Sequence, residues 1–144
     1  VSKTWQLPGE ATNLAAQKSN FAAVIVHPGN WTSKHTPSTA TQATTTKAAG
    51  GAGVRHICNS ITATIACDST AQTPLLIRLR DGAASTGTIL WEAAVSAIAN
   101  GLGGVCVTGL NIVGSANTAM TLEFSAAGVT GTQQSVTLGG YSAS

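Results

Sequence analysis

The sequence predicts an all-β chain folded as an antiparallel β-sandwich, on three observations. From about Gln42 onward, short runs of alternating apolar and polar residues recur between Gly, Asn, Asp and Ser, at roughly the 8- to 12-residue spacing of sandwiches and barrels. Helical periodicity is hard to find in these runs. The 144-residue length fits one core, because two cores would each bury too little surface.

About seven strands are expected, over residues 43–48, 54–66, 75–80, 88–98, 105–113, 118–125 and 135–141. The threonine-rich stretch 36–46 is too irregular for a mucin-like stalk or an ice-binding array and reads as the approach to an edge strand, where Lys47 discourages strand addition. Over 54–66, Ile57, Ile61 and Ile65 share one parity and alternate with His56, Ser60, Thr62 and Thr64, as in a half-buried strand. Leu75, Ile77 and Leu79 repeat the pattern against Leu76, Arg78 and Arg80, and Asp81-Gly82 marks a turn.

The run 88–98 puts Trp91 on one parity with Ile89, Ala93 and Val95, which points to the core. Its alanines would also tolerate one or two helical turns, and strand is the assignment made. Glycine-containing turns bound the later runs, at Gly103-Gly104, Gly114-Ser115 and Gly128. Met120, Leu122 and Phe124 lie opposite Thr121 and Glu123, the cleanest amphipathic strand in the chain. Two facing sheets would bury these stripes together.

Residues 1–36 differ in texture. Pro8, Gly9, Pro28, Gly29 and Pro37 interrupt regular structure, while Trp5, Leu7, Phe21, Val24, Ile25, Val26 and Trp31 remain. This reads as an extended N-terminal arm (1–36) with apolar anchors ahead of the sandwich domain (37–144). A solvated linker does not carry two tryptophans, so Trp5 and Trp31 need cover, either from their own domain or from a neighbouring protein.

Charged residues make up 8% of the chain, about a third of the usual share. The exterior must therefore be built of Ser, Thr, Ala and Gly, a surface suited to protein contact. Residues 1–47 hold Lys3, Lys18, Lys34 and Lys47 against Glu10, a net +3, and the remainder is −1. A nucleic-acid footprint concentrates Lys and Arg into a patch or stripe, and four lysines scattered over 47 residues do not make one. The longest apolar stretch, 21–26, is too short to span a bilayer, and the first twenty residues contain no apolar leader core, so a soluble protein made in the cytoplasm is expected.

Catalytic and metal chemistry find no foothold. Cys58, Cys67 and Cys106 are odd in number and lack metal-type spacing, so buried free thiols are expected. His27, His35 and His56 share no ligand spacing, and His56 reads as a surface or sheet-face histidine. The glycine-rich pieces 50–53 and 101–104 lack the strand-to-helix setting of a dinucleotide site and read as turns or bulges. Asp68, Asp81, Glu92 and Glu123 fall on separate runs, and no pair among them is singled out for acid–base work. No catalytic residue, metal, cofactor or small-molecule substrate is expected.

The stretches 42–58, 76–82 and 115–124, with their Ala/Thr/Gly-rich strands, Arg80-Asp81-Gly82 turn and late amphipathic strand, resemble small virion structural proteins of tailed bacteriophages. Among these, the chain is similar to the jelly-roll cement or decoration proteins that clamp neighbouring capsomers on the outside of the shell. The resemblance covers residues from about 40 to the end. It implies a jelly-roll-like, eight-stranded double sheet and a non-enzymatic place on the outer capsid surface. It also implies two partners, the major capsid protein and copies of the chain itself as homo-dimer or trimer. On that reading Trp5, Leu7, Phe21 and Trp31 are interface anchors and Lys3, Lys18 and Lys34 are steering charges. The rival expectation is a carbohydrate- or receptor-binding jelly-roll module of a phage tail or bacterial surface.

Overall fold

The computed structural model describes residues 30–144, so the expectations placed on Lys3, Trp5, Leu7, Lys18, Phe21 and His27 lie outside the described residues. Eight strands follow one another as β1 (Trp31–His35), β2 (Thr44–Lys47), β3 (Arg55–Cys67), β4 (Gln72–Asp81), β5 (Thr88–Ala97), β6 (Leu102–Val113), β7 (Met120–Phe124) and β8 (Thr132–Ala143). They form two four-stranded antiparallel sheets, ordered β1-β8-β3-β6 and β2-β7-β4-β5. The chain changes sheet at every connection except β4 to β5, which gives the jelly-roll strand order.

The core lies between the sheets because alternation aims one parity of each strand inward. Ile61, Ala63 and Ile65 of β3 with Val136 and Leu138 of β8 face Ile77 and Leu79 of β4, Leu122 and Phe124 of β7, and Val95 and Ala97 of β5. Burying each larger aliphatic or aromatic side chain contributes about 1.5–3 kcal/mol. Trp91 packs against this cluster, as its parity predicts.

The sandwich begins earlier than the sequence indicates. Residues 31–36 read as arm, yet Trp31–His35 pair with Gly140 through Val136 of β8 and form an edge strand. The strand exists because of a partner at the far end of the chain, and five residues flanked by Gly29 and Pro37 carry almost no periodic signal of their own.

Two bulges change which parity faces inward. In β3, Cys58 is level with Gly140 and Ser60 with Gly139, so Asn59 is an extra residue. His56 and Cys58 consequently share the inner side with Ile61, and Ile57, buried as its alternation with polar residues predicts, lies on the other side between Val113 and Tyr141 and outside the cluster formed by Ile61 and Ile65. In β5, Leu79 is level with Trp91 and Arg80 with Ile89, which leaves Leu90 as the extra residue. Leu90 packs on the core and Ile89 is exposed, contrary to the parity it shares with Trp91.

Connections β1–β2, β3–β4, β5–β6 and β7–β8 gather at one end, tied by Ala40 N–H to the Thr132 carbonyl (2.7 Å) and Asp68 N–H to the Gly131 carbonyl (3.3 Å). The other end holds β2–β3, β4–β5 and β6–β7. There Gly82 N–H donates to the Ala119 carbonyl (2.7 Å), and the Asp81 carboxylate accepts Ser115 N–H at 3.0 and 3.1 Å. Trp31 opens β1 at this second end.

Candidate functional site

Trp31 is the one proposed anchor among the described residues, and it docks on its own domain. It sits opposite Gly140, where a Cβ would lie 2.8 Å from the indole, so the glycine makes room for the ring. The indole N–H donates to Ser142 Oγ at 3.1 Å, Ser142 Oγ is 2.9 Å from His56 Nδ1, and His56 Nε2 is 2.7 Å from the Ala48 carbonyl. An indole can only donate and a carbonyl can only accept, so Ser142 Oγ accepts from Trp31 and His56 Nε2–H donates to the Ala48 carbonyl.

His56 is 1% exposed and stands edge-on to Trp31, with centroids 5.5 Å apart and an interplanar angle of 81°. It is not the surface histidine its polar neighbours imply, because the Asn59 bulge turns it inward. Lys47 Nζ lies 5.8 Å from the indole centroid, within reach of a cation–π contact. Lys34, exposed on the same strand as Trp31, is level with Thr137 on the outward side. Trp31 and Lys34 thus share β1 but not a face.

Two clefts flank the indole. One, of about 290 Å³, is lined by Asn30, Thr32, Asn59 and Ser60 together with Gly139 and Gly140. The other, of about 410 Å³, runs past Lys47, Ala48 and Gly50 to Val54, His56 and Ser142. Both open where residues 1–29 join the domain. Among the described residues, no three His, Cys, Asp or Glu side chains gather so as to hold a metal ion.

The outward faces of the two sheets differ sharply in charge. On the second sheet, Arg78 pairs with Glu92 at 2.6 Å and Arg80 with Glu123 at 2.5 Å. On the first sheet, successive cross-strand rows read Thr137–Thr62–Cys106, Ser135–Thr64–Gly104 and Gln133–Ala66–Leu102. Lys34 of β1 continues the first of these rows, next to Thr137, and is the one charge in them. Arg55, at the start of β3, has its Nη1 bonded to the Gly114 carbonyl at 3.2 Å. Composition alone shows the scarcity of charge but not its segregation. The readable signal is that nearly every polar position of the runs 60–66 and 133–137 is Ser, Thr or Gln.

The three thiols are free, and their settings differ. Burial pushes the Cys58 thiol up from its ordinary 9.0 to about 11, offset in part by a backbone hydrogen bond with Ser60. Cys67 is buried as well. Cys106 is exposed, against the expectation of buried thiols, because its parity on β6 points out of the sheet; Thr62 Oγ1 donates to its sulfur at 3.5 Å.

No protein-family model matches this chain, and no curated protein is similar to it.

Proposed function

We propose that this chain is a non-enzymatic virion structural protein, a cement or decoration protein that bridges neighbouring capsomers on the outer surface of a tailed-phage head. The observation that carries the reading is the sparsely charged outward face of the first sheet, in whose strands Lys34 and Arg55 are the only lysine or arginine and no acid occurs. A face of Ser, Thr, Gly and Ala is costly for a free monomer to keep soluble, yet it packs closely against a neighbour without stranding a charge. Its partners are the major capsid protein and copies of itself.

The mechanism is many weak contacts acting together. The face covers one capsomer while residues 1–29, with Trp5, Leu7 and Phe21, reach a second, so that release requires both to let go. Lys3, Lys18 and Lys34 add encounter rate with an acidic shell more than affinity. The test is binding of the purified protein to shells that lack it. Thr62→Lys/Thr137→Glu on the face and Trp5→Ala/Phe21→Ala in the arm are each expected to weaken binding at least about tenfold with folding unchanged. Undiminished binding of both variants would defeat the proposal.

A second reading, a carbohydrate- or receptor-binding module, draws on the amides and hydroxyls beside Trp31. Against it, the indole N–H is already bonded to Ser142 and the ring edge is packed on His56, which leaves little free aromatic face. Strong sugar-specific signal on a glycan array, lost in Trp31→Phe, would favour this second reading.

A further inference from the structure

The two lateral sides of the sandwich are protected unequally. Each side pairs the edge strand of one sheet with that of the other: β1 with β2, and β5 with β6. An edge strand presents unpaired backbone N–H and C=O groups and invites strand addition, which proteins usually block with lysine, proline or a bulge. The β1–β2 side carries Lys34 and Lys47, with Pro37 just beyond β1. Among the described residues, the β5–β6 side carries the Leu90 bulge of β5 and Glu92, which Arg78 neutralises, whereas β6 has no lysine or proline and no charged residue occurs from 93 to 122. Four large apolar side chains are also exposed there: Ile89 (44%), Ile98 (77%), Leu102 (81%) and Val113 (49%).

The geometry of β6 suits one particular occupant. Leu102 to Thr108 pair with Ala66 to Ser60 without interruption, and the irregularity at Gly109 (φ 73°) lies beyond this run. An uninterrupted, uncharged antiparallel edge is self-complementary, because a two-fold axis lays the run against itself and returns every unpaired donor to an acceptor. With the axis at Val105, Leu102 falls opposite Thr108 of the second copy, Cys106 opposite Gly104 and Val105 opposite its own counterpart, so no charges meet and the axial pair is apolar. The seven overlapping residues 102–108 span roughly 24 Å, which with a side roughly 20 Å wide gives roughly 500 Å² per copy, or roughly 1,000 Å² in total, at the lower bound of a specific interface.

We propose that the β5–β6 side is a homodimer interface, in which β6 of one copy pairs antiparallel with β6 of a second and extends the first sheet from four strands to eight. This gives a surface to the self-association in the virion reading. It is tested on purified protein without shells, so its failure and the failure of shell binding are separable.

The experiment is light-scattering mass and sedimentation of the full chain at about 100 µM. The wild type is expected at dimer mass. Leu102→Lys/Thr108→Lys sets like charges against each other across the axis and is expected to raise the dissociation constant about 100-fold or more, with unchanged circular dichroism. Thr32→Lys, on edge strand β1 of the opposite side, is expected to leave the dimer intact. Hydrogen exchange on the wild type supplies a readout independent of the variants: amides of 102–108 should exchange more slowly at about 100 µM than at about 1 µM. A wild type that is monomeric or trimeric at about 100 µM would overturn the proposal. So would exchange independent of concentration, or a dimer undisturbed by Leu102→Lys/Thr108→Lys.

Discussion

The guanidinium of Arg80 and the carboxylate of Glu123 meet at 2.5 Å on the outward side of the second sheet, yet both are buried. The β4–β5 connection, residues 82–87, folds back over them. Ser85 N–H donates to both oxygens of Glu123 at 3.2 Å, Arg80 Nη1 donates to the Gly87 carbonyl at 2.7 Å, and Thr121 Oγ1 donates to the Gly82 carbonyl at 2.7 Å. The pair thus pins a loop as well as neutralising itself. Removing one partner leaves an uncompensated buried charge. Arg80→Met and Glu123→Leu should each cost about 3–5 kcal/mol in urea unfolding, and the double variant distinctly less than their sum.

Gly140→Ala should destabilise the fold by more than its size implies. A Cβ there collides with the Ile57 carbonyl oxygen and stands 2.8 and 2.9 Å from two indole carbons of Trp31. The backbone oxygen cannot move aside, so the indole must leave its place or β8 must shift. A loss of about 2–3 kcal/mol is expected. Trp31 fluorescence should change with it.

If Trp31 is held by its own domain, Trp31→Ala should cost about 3–5 kcal/mol in the isolated protein, before any partner is added. Ser142→Ala removes the relay between indole and imidazole and should cost about 1–2 kcal/mol by leaving His56 Nδ1 and the indole N–H without their partner. A Trp31→Ala protein as stable as the wild type would return Trp31 to the role of a partner-facing anchor.

The thiols should react in an order set by burial. At pH 8 a thiol with its pKa at about 11 is ionised to roughly one part in a thousand, and Cys58 is also inaccessible, so a thiol reagent should label Cys106 first and Cys58 last. The same shift carries a stability consequence. The folded protein keeps the Cys58 proton up to about 11 while the unfolded chain releases it near 9.0, so stability is full below pH 9 and declines as pH rises toward 11. Cys58→Ala should remove that part of the alkaline decline.

What the residues disclose and what they conceal divide along physical lines. The inward placement of Ile77, Leu79, Met120, Leu122 and Phe124 was legible because each lies in a stretch, 75–79 or 120–124, whose alternation runs unbroken. Ile89 and His56 were misplaced by single extra residues, Leu90 and Asn59, which composition does not mark. β1 was missed because its partner lies at the other terminus. Glu123 and Thr121 alternate as solvent-facing residues do, and only the return of residues 82–87 buries them. The sparsely charged face was half legible: the scarcity of charge is plain in the composition, whereas its thinning over β8, β3 and β6 depends on register across those strands.

The most direct test is the composition of particles that contain this protein in its native source, by quantitative mass spectrometry of sedimented material. The account predicts that it travels with a major capsid protein at a fixed stoichiometric ratio and is released only when the shell is disrupted. Recovery as a freely soluble monomer, with no shell protein at constant ratio, would contradict it.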